Sequence, residues 1–234
     1  MKLETPWHLR QPRPEHEHWF KNLVDLHETT LHWIQDLKET APSYSLTRGF
    51  DDTVIKHLWI LESLGSSQLG QFLDGHQPEE LLMELEKAVW TFHSWTVSRI
   101  LAKNINPNIT SLKNLLEQSS WKSGRQMGEA RWAKTKNLGR FDLASIYFAL
   151  QDSPLAHYPR SRTHLIRRAT VNQVELELKS CPHQIGFPEI KENSDLLCQL
   201  HAQWCRGFVY SLNPRVTIEH ETHPLRCTQK WILN

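Results

Sequence analysis

The sequence predicts an α+β fold in which a helical N-terminal segment is followed by an antiparallel sheet packed with a long central helix. Three observations predict this fold. Apolar residues recur at the 3.6-residue spacing of helices through most of residues 15–150. Apolar and polar residues alternate in residues 174–179 and in two runs after residue 214, as they do in half-buried strands. Between these runs, residues 195–212 have helical periodicity and are bounded by Ser194 and by Asn213-Pro214.

The N-terminal segment is predicted to be helical. Its third helix opens at Pro78, followed by Glu79 and Glu80, and a proline with acids in the first turn suits the positive end of a helix. Residues 104–108 are Asn-Ile-Asn-Pro-Asn, a polar and proline-containing composition typical of a linker. We therefore separate a helical segment, 1–105, from an α+β domain, 106–234. The helices predicted before the linker span 15–37, 51–64 and 78–100.

The α+β domain begins with a helix predicted over 110–136, in which Gly124 and Gly128 lie one turn apart. Glycine costs roughly 1 kcal/mol relative to alanine inside a helix, so this pair indicates the close approach of another backbone or of a ligand. Asp142 is a typical N-cap residue for the next helix. Two hairpins are predicted, although Arg167 and Arg168 interrupt the alternation in the first. The remaining elements are helices 143–150 and 195–212 and strands 163–169, 174–179, 215–220 and 226–233.

Composition and charge exclude several classes of protein. The 234 residues carry 27 Lys and Arg against 26 Asp and Glu, so the formal net charge is +1, whereas proteins that coat nucleic acid concentrate cations. No apolar run approaches the roughly 18 residues of a membrane helix, and the N-terminus lacks the apolar stretch of a secretory signal. We therefore expect a cytoplasmic protein whose partner is a small molecule, with no nucleic acid and no membrane.

The cysteines are concentrated in the part of the chain where chemistry is expected. All four lie in the final quarter, as Cys181, Cys198, Cys205 and Cys227. Cys198, His201 and Cys205 recur at i, i+3 and i+7 on the long helix, which places them on one face. Because cytosolic cysteines are seldom paired in disulfides, this clustering favours buried thiols, a metal site or a reactive thiol.

Three interpretations of this cluster stay open. In the first, the thiols are small core residues, since free cysteine is among the most buried residue types. In the second, they belong to a divalent-metal site, although the chain has no Cys-x2-Cys pair of the kind that structural zinc sites use. In the third, an imidazole beside a thiol holds a thiolate or takes its proton, and the pair activates water or a substrate. The candidate metal ligands are Cys181, His183, Cys198, His201 and Cys227.

Several short motifs follow one another through residues 110–234. They are Gly124-Arg125-Gln126-Met127-Gly128-Glu129-Ala130, Cys181-Pro182-His183, Leu197-Cys198-Gln199-Leu200-His201, Asn213-Pro214 and Arg226-Cys227. On these motifs, the C-terminal half resembles the L-2-amino-thiazoline-4-carboxylate hydrolase-like family, which is related in shape to the 4-vinyl-reductase-type ligand-binding domains. The resemblance implies an α+β ligand-binding fold and the hydrolytic opening of a cyclic amidine-like ring.

In the reaction that this resemblance implies, water attacks the ring carbon between nitrogen and sulfur. A base takes the proton of the water, and a further group stabilises the leaving thiolate or the cationic ring nitrogen. The resemblance places Cys181, Cys198 and His201 nearest the chemistry. It gives Arg226 the role of binding a substrate carboxylate. The other residues expected to bind the substrate are His183 and Cys227.

Two other functions stay open. Related folds also serve as non-catalytic small-ligand-binding or dimerisation modules, and a fold does not fix a function. In the N-terminal segment, Asp52-Thr53-Val54-Ile55-Lys56-His57-Leu58 resembles the histidine-bearing helix of DinB-like helical bundles, which implies a metal held by His27, His57 and His93. A lone histidine on a helix is more often packed or solvated. The simpler interpretation is that the segment caps the C-terminal domain or joins two copies in a homodimer.

Overall fold

The fold is that of a computed structural model, which describes residues 13–40, 69, 77–101, 109–134, 141–151, 153, 165–178, 194–223 and 226–234. In these ranges the chain forms five helices and one four-stranded antiparallel sheet, which confirms the predicted α+β class. The helices are α1 (Pro14–Thr40), α2 (Pro78–Leu101), α3 (Ile109–Lys134), α4 (Leu143–Gln151) and α5 (Ser194–Leu212). The strands are β1 (Leu165–Ala169), β2 (Gln173–Leu178), β3 (Val216–His223) and β4 (Arg226–Leu233).

The element boundaries differ from the predicted ones in a few places. α1 continues to Thr40, beyond the predicted end at residue 37, and β3 continues to His223 through residues predicted as a turn. Thr110, predicted as a cap, lies inside α3, which begins at Ile109. The predicted helix 51–64 and linker 104–108 lie outside the described residues.

α3 and α5 form a closely packed parallel pair. Ser120 Oγ donates a hydrogen bond to the carbonyl oxygen of Leu200 at 2.6 Å, and one turn further along both helices Gly124 lies against the backbone of Trp204. Helices usually lie 8–10 Å apart, and only small side chains allow a closer approach. The close backbone approach predicted from Gly124 and Gly128 is therefore confirmed, and the partner is α5.

The sheet has the strand order β1-β2-β4-β3. Trp231 of the central strand β4 pairs with Val174 of β2 on one side and with Ile218 of β3 on the other. The register shifts between Ile166 and Arg168, which is a β-bulge at the two arginines that interrupt the alternation. Both predicted hairpins are confirmed.

One hydrophobic core joins the N-terminal helices to the sheet. Its buried residues include Phe20 of α1, Phe92 of α2, Phe208 of α5 and Trp231 of β4. A second, smaller cluster packs the C-terminal halves of α1 and α2 against the first turns of α3 and α5. The helical segment therefore shares its packing with the residues that follow it.

Two polar side chains fix the ends of helices near this core. Asp142 Oδ1 accepts a hydrogen bond from the backbone N–H of Ser145 at 2.7 Å, which is the predicted N-cap of α4. Asn213 follows α5 and is buried; its Nδ2 donates to the carbonyl oxygen of Phe141 at 2.9 Å. Asn213 therefore ties the end of α5 to the segment just before α4.

Candidate functional site

Two of the predicted site residues meet between α5 and the sheet. Cys198 of α5 and Cys227 of β4 are 5% and 3% exposed, and the two side chains form a small buried cluster of their own. Neither cysteine is part of a disulfide. His201 lies three residues after Cys198 on α5, and its side chain is half-buried. The structure therefore brings Cys198 and Cys227 together and leaves His201 on the same side of the helix.

The other predicted site residues are only partly described. Cys181 and His183 lie outside the described residues. Arg226 opens β4, where its backbone pairs with His223, but its side chain is not among those described. The described side chains of the predicted site are therefore those of Cys198, His201 and Cys227, and their roles stay a prediction.

Cys205 lies two helical turns after Cys198 on α5 and is buried in the main hydrophobic core. Burial raises the pKa of its thiol to about 12, and a hydrogen bond with Gln229 and the charge of Arg206 offset the shift only in part. Gln229 Oε1 also accepts a hydrogen bond from Trp231 Nε1 at 3.2 Å. Since the thiolate is the nucleophilic form, Cys205 is an inert thiol at neutral pH.

Two of the three histidines proposed for a metal in the N-terminal segment, His27 and His93, are buried beside aromatic rings. The ring of His93 lies 4.7 Å from that of Trp33, between ring centroids. His93 Nδ1 forms a 2.7 Å hydrogen bond with Thr30 Oγ1, which also lies 3.1 Å from the carbonyl oxygen of Leu26. Nδ1 of His93 is therefore occupied by an internal hydrogen bond.

His27 lies on α1, where its ring centroid is 5.4 Å from that of Phe92. Its Nδ1 is buried without a hydrogen-bond partner, and burial lowers the pKa of the imidazole. His57, the third histidine of the predicted metal site, lies outside the described residues. Among the described side chains, no three His, Cys, Asp or Glu residues are grouped so that they could hold a metal ion.

A cleft of about 440 Å³ opens between α1, α3 and α4, and we call it the α1/α3/α4 cleft. Its inner surface is apolar because Phe208 and Ala149 are buried there and Met127 is half-buried beside them. Ser153 follows α4 and lines the same cleft; it is 4% exposed, and its Oγ has no hydrogen-bond partner. The remaining lining residues are His18, Lys21 and Asp25 of α1 and Ala130, Arg131 and Lys134 of α3.

Helix geometry places each set of lining residues on one face. His18, Lys21 and Asp25 are spaced i, i+3 and i+7 on α1, and the α3 residues 127, 130, 131 and 134 follow the same rule. On α1, Lys21 Nζ forms an ion pair with Asp25, and Asn22 Nδ2 contacts His18 Nε2 at 3.2 Å. Among the described lining residues, the cleft therefore has an apolar floor and a charged rim formed by Lys21, Asp25, Arg131 and Lys134.

A second cleft, of about 430 Å³, lies on the outer surface of α3 and α5. It is open and lined by amides, a carboxylate and one aromatic ring. The guanidinium carbon of Arg125 lies 5.7 Å from the centroid of the Trp121 ring, so this ring already has a cationic neighbour. The lining residues are Asn114, Glu117, Gln118, Trp121 and Gln203. It lacks the apolar floor that makes the α1/α3/α4 cleft the better ligand site.

Apart from Met127 and Ala130, which lie in the motif around Gly124 and Gly128, the cleft residues were not singled out from the sequence, because they come from four elements that are distant along the chain. The only local signal was the run of cationic residues at the end of α3, which are Arg131 and Lys134. A single unpaired serine after a short helix has no sequence signature.

None of the described helices is both long enough and apolar enough to cross a membrane.

Comparison with known proteins adds no family to this description. No protein-family model, no curated protein and no solved structure gives a match to the chain. The resemblance to the thiazoline-carboxylate hydrolase-like family therefore stays a prediction, and the functional argument rests on the side chains themselves.

Proposed function

We propose that the protein binds a small molecule with an apolar body in the α1/α3/α4 cleft. The cleft volume of about 440 Å³ carries this proposal, together with its apolar floor. Sites for small molecules usually have volumes of about 300–1,000 Å³ and are lined by apolar side chains with a few polar groups. Phe208, Met127 and Ala149 supply the apolar surface, and Ser153 and the charged rim supply the polar groups.

The partnerless hydroxyl of Ser153 supports the same proposal. A buried polar group that lacks a hydrogen bond costs about 1–3 kcal/mol, so natural proteins seldom keep one without a reason. The Ser153 hydroxyl is buried at the wall of the cleft. Because a serine hydroxyl rotates to suit its partner, a ligand oxygen at this wall would satisfy it.

The test uses 1-naphthylacetate and its neutral amide, 1-naphthylacetamide, titrated into the full chain by calorimetry and by ligand-observed NMR. Each has about 14 heavy atoms, so at roughly 0.3 kcal/mol per atom we expect a Kd of about 1 mM or lower. Ala130 lines the cleft and its side chain is exposed. Ala130→Trp should therefore fill the cleft and abolish binding without disturbing the core.

Ala133→Trp is the matched control. Ala133 is exposed on the same helix and does not line the cleft, so binding to this variant should equal that of the wild type. Both variants should retain the helical circular dichroism of the wild type. If neither probe binds, or if Ala130→Trp binds both as well as Ala133→Trp does, the α1/α3/α4 cleft is not the ligand site.

Hydrolysis of a small thiazoline-type ring is a second candidate function. The contact between Cys198 and Cys227, two residues of the predicted site, favours it. Neither thiol lines the α1/α3/α4 cleft, so this activity would need its own opening beside the N-terminal half of α5. Binding in the cleft and hydrolysis at the thiols are therefore separable by mutation.

Ring opening releases a free thiol, which a colorimetric thiol reagent measures. If the hydrolase prediction holds, the Cys198→Ala and His201→Ala variants should lose the release of thiol from 2-amino-2-thiazoline-4-carboxylate. Cys205→Ala should retain it, because the Cys205 thiol is buried and its pKa is raised to about 12. Full activity in both of the first two variants, or no activity in the wild type, would contradict the hydrolase prediction.

A further inference from the structure

We propose that Cys198 of α5 and Cys227 of β4 are a redox-active pair, which closes a reversible disulfide when hydrogen peroxide oxidises the protein. The proposal is independent of the α1/α3/α4 cleft, since neither cysteine lines it. It follows from three properties of the pair, which are the contact between the two side chains, the fixed position of their backbones and their closeness to the surface.

The two side chains lie in contact. Cys198 and Cys227 are buried, form a cluster of two residues and belong to no disulfide. A cysteine side chain consists only of Cβ and Sγ, so a contact between two of them brings atoms of these kinds within about 4.5 Å of one another. The Cβ atoms of a disulfide lie about 3.5–4.5 Å apart. We therefore expect rotation of the side chains to close the bond without moving α5 or β4.

The packing around the pair keeps both cysteines in place. Leu197 and Leu200, which flank Cys198 on α5, are buried in the second hydrophobic cluster. Cys227 lies in β4, and its backbone is paired with both β2 and β3. When one thiol is oxidised, the other is already beside it. Such proximity gives an intramolecular reaction an effective concentration far above that of a dissolved thiol, which favours the disulfide over further oxidation.

The pair lies close to the surface of the protein. Gln199, next to Cys198, is exposed, and His201, one turn along α5, is half-buried. Hydrogen peroxide is little larger than water, so a local opening of the first turns of α5 is enough to admit it, and the ends of helices open at low cost in free energy. Cys205 lies in the main hydrophobic core. We therefore expect oxidation to be selective for the pair.

The reaction balances with hydrogen peroxide as its oxidant. One sulfur attacks a peroxide oxygen and the O–O bond breaks, which gives a sulfenic acid and one water. The other sulfur then attacks the sulfenic sulfur, so that the S–S bond forms, the S–O bond breaks and a second water leaves. Two electrons pass from the two sulfurs to the peroxide, and both thiol protons leave in water. A dithiol reagent reverses the reaction by thiol–disulfide exchange.

The experiment treats the full chain with excess hydrogen peroxide, alkylates the remaining thiols and digests the protein with trypsin without reduction. Trypsin leaves Cys198 in peptide 192–206 and Cys227 in peptide 227–230. By mass spectrometry we expect most chains to have these two peptides joined, with the loss of two hydrogen atoms, and we expect dithiothreitol to separate them.

Cys205→Ala is the matched control, because peptide 192–206 also contains Cys205. This variant should keep the cross-link, and Cys198→Ala should lose it. If Cys198→Ala does not fold, as judged by circular dichroism, Cys227→Ala supplies the same test. A cross-link that survives in Cys198→Ala and is lost in Cys205→Ala would overturn the assignment of the pair.

Two further outcomes would overturn the proposal. In the first, peroxide joins either cysteine to Cys181, or converts it to a sulfinic or sulfonic acid, in place of the disulfide between them. In the second, both thiols stay reduced in the folded protein although the same peroxide oxidises them in urea. That result would show that the contact is sealed in the core and has no redox role.

Discussion

Gly124 of α3 lies directly against the backbone of Trp204 in α5, since a Cβ built on the glycine would be 2.0 Å from the Trp204 carbonyl oxygen. The relationship is reciprocal, because a Cβ on Gly207 of α5 would be 2.0 Å from the carbonyl oxygen of Trp121. Neither oxygen can move without shifting a helix. The two glycines therefore set the distance between the helices that carry the cleft and the thiol pair.

We expect Gly124→Ala to lower the free energy of unfolding by about 1–3 kcal/mol, the usual cost of overpacking a core. The higher helix propensity of alanine, worth about 1 kcal/mol, opposes this effect but does not cancel a backbone clash. Urea denaturation measures the change. Gln126→Ala, exposed on the same helix, should stay within about 0.5 kcal/mol of the wild type. A Gly124→Ala protein as stable as Gln126→Ala would show that the helices separate without cost.

We expect Asp142→Ala to destabilise the protein by about 1 kcal/mol through the loss of the N-cap of α4. The backbone N–H of Ser145 donates to Asp142 Oδ1 at 2.7 Å, and this bond lowers the pKa of the carboxyl. Asp142→Asn keeps an acceptor oxygen and should restore most of the stability. Thermal unfolding of the three proteins at pH 7 measures the difference. Equal losses for the two variants would mean that charge, and not the hydrogen bond, is what α4 requires.

Local patterns predicted the secondary structure because each element carries its own signal. The alternation around Val174 and Leu176 predicted β2, and both side chains are buried on the sheet face that packs on the core. The adjacent Arg167 and Arg168 predicted an irregular β1, and a bulge is present there. These features depend on neighbours within a few residues, so one sequence is enough to predict them.

The candidate site could not be predicted in the same way, because it depends on packing between distant elements. Cys198 and Cys227 were predicted as site residues because of their chemistry, and the packing of β4 on α5 brings their side chains together. Lys21 and Arg131 are ordinary surface residues in the sequence. They share a rim only because α1 and α3 pack side by side. Tertiary packing, which carries no local pattern, decides which polar groups meet.

Acid should destabilise the protein through His27. Burial lowers the pKa of this imidazole from its ordinary value of 6.5. The folded protein therefore holds His27 neutral while the unfolded chain takes up a proton as the pH falls below about 6.5, so stability is lost in that direction. We expect His27→Gln to reduce the difference in the free energy of unfolding between pH 7.5 and pH 5.5.

The control for this prediction is His32→Gln, because His32 is exposed on the same helix. Urea denaturation of the three proteins at both pH values supplies the comparison. If His27→Gln shows the same acid destabilisation as the wild type and His32→Gln, the titration of His27 does not contribute to acid lability.

The last prediction concerns alkaline pH and the buried thiol of Cys205. Burial raises the pKa of this thiol from 9.0 to about 12. The contribution of the Cys205 thiol to the free energy of unfolding is constant below about pH 9. It falls as the pH rises from 9 toward 12, because in that range only the unfolded chain releases the thiol proton. Between pH 8 and pH 10 we expect the wild type to lose about 1 kcal/mol more than Cys205→Ala. The alanine variant lowers stability at both pH values by leaving a small cavity, so the difference in slope isolates the titration. Parallel curves for the two proteins would show that the thiol ionises in the folded state as readily as in the unfolded chain.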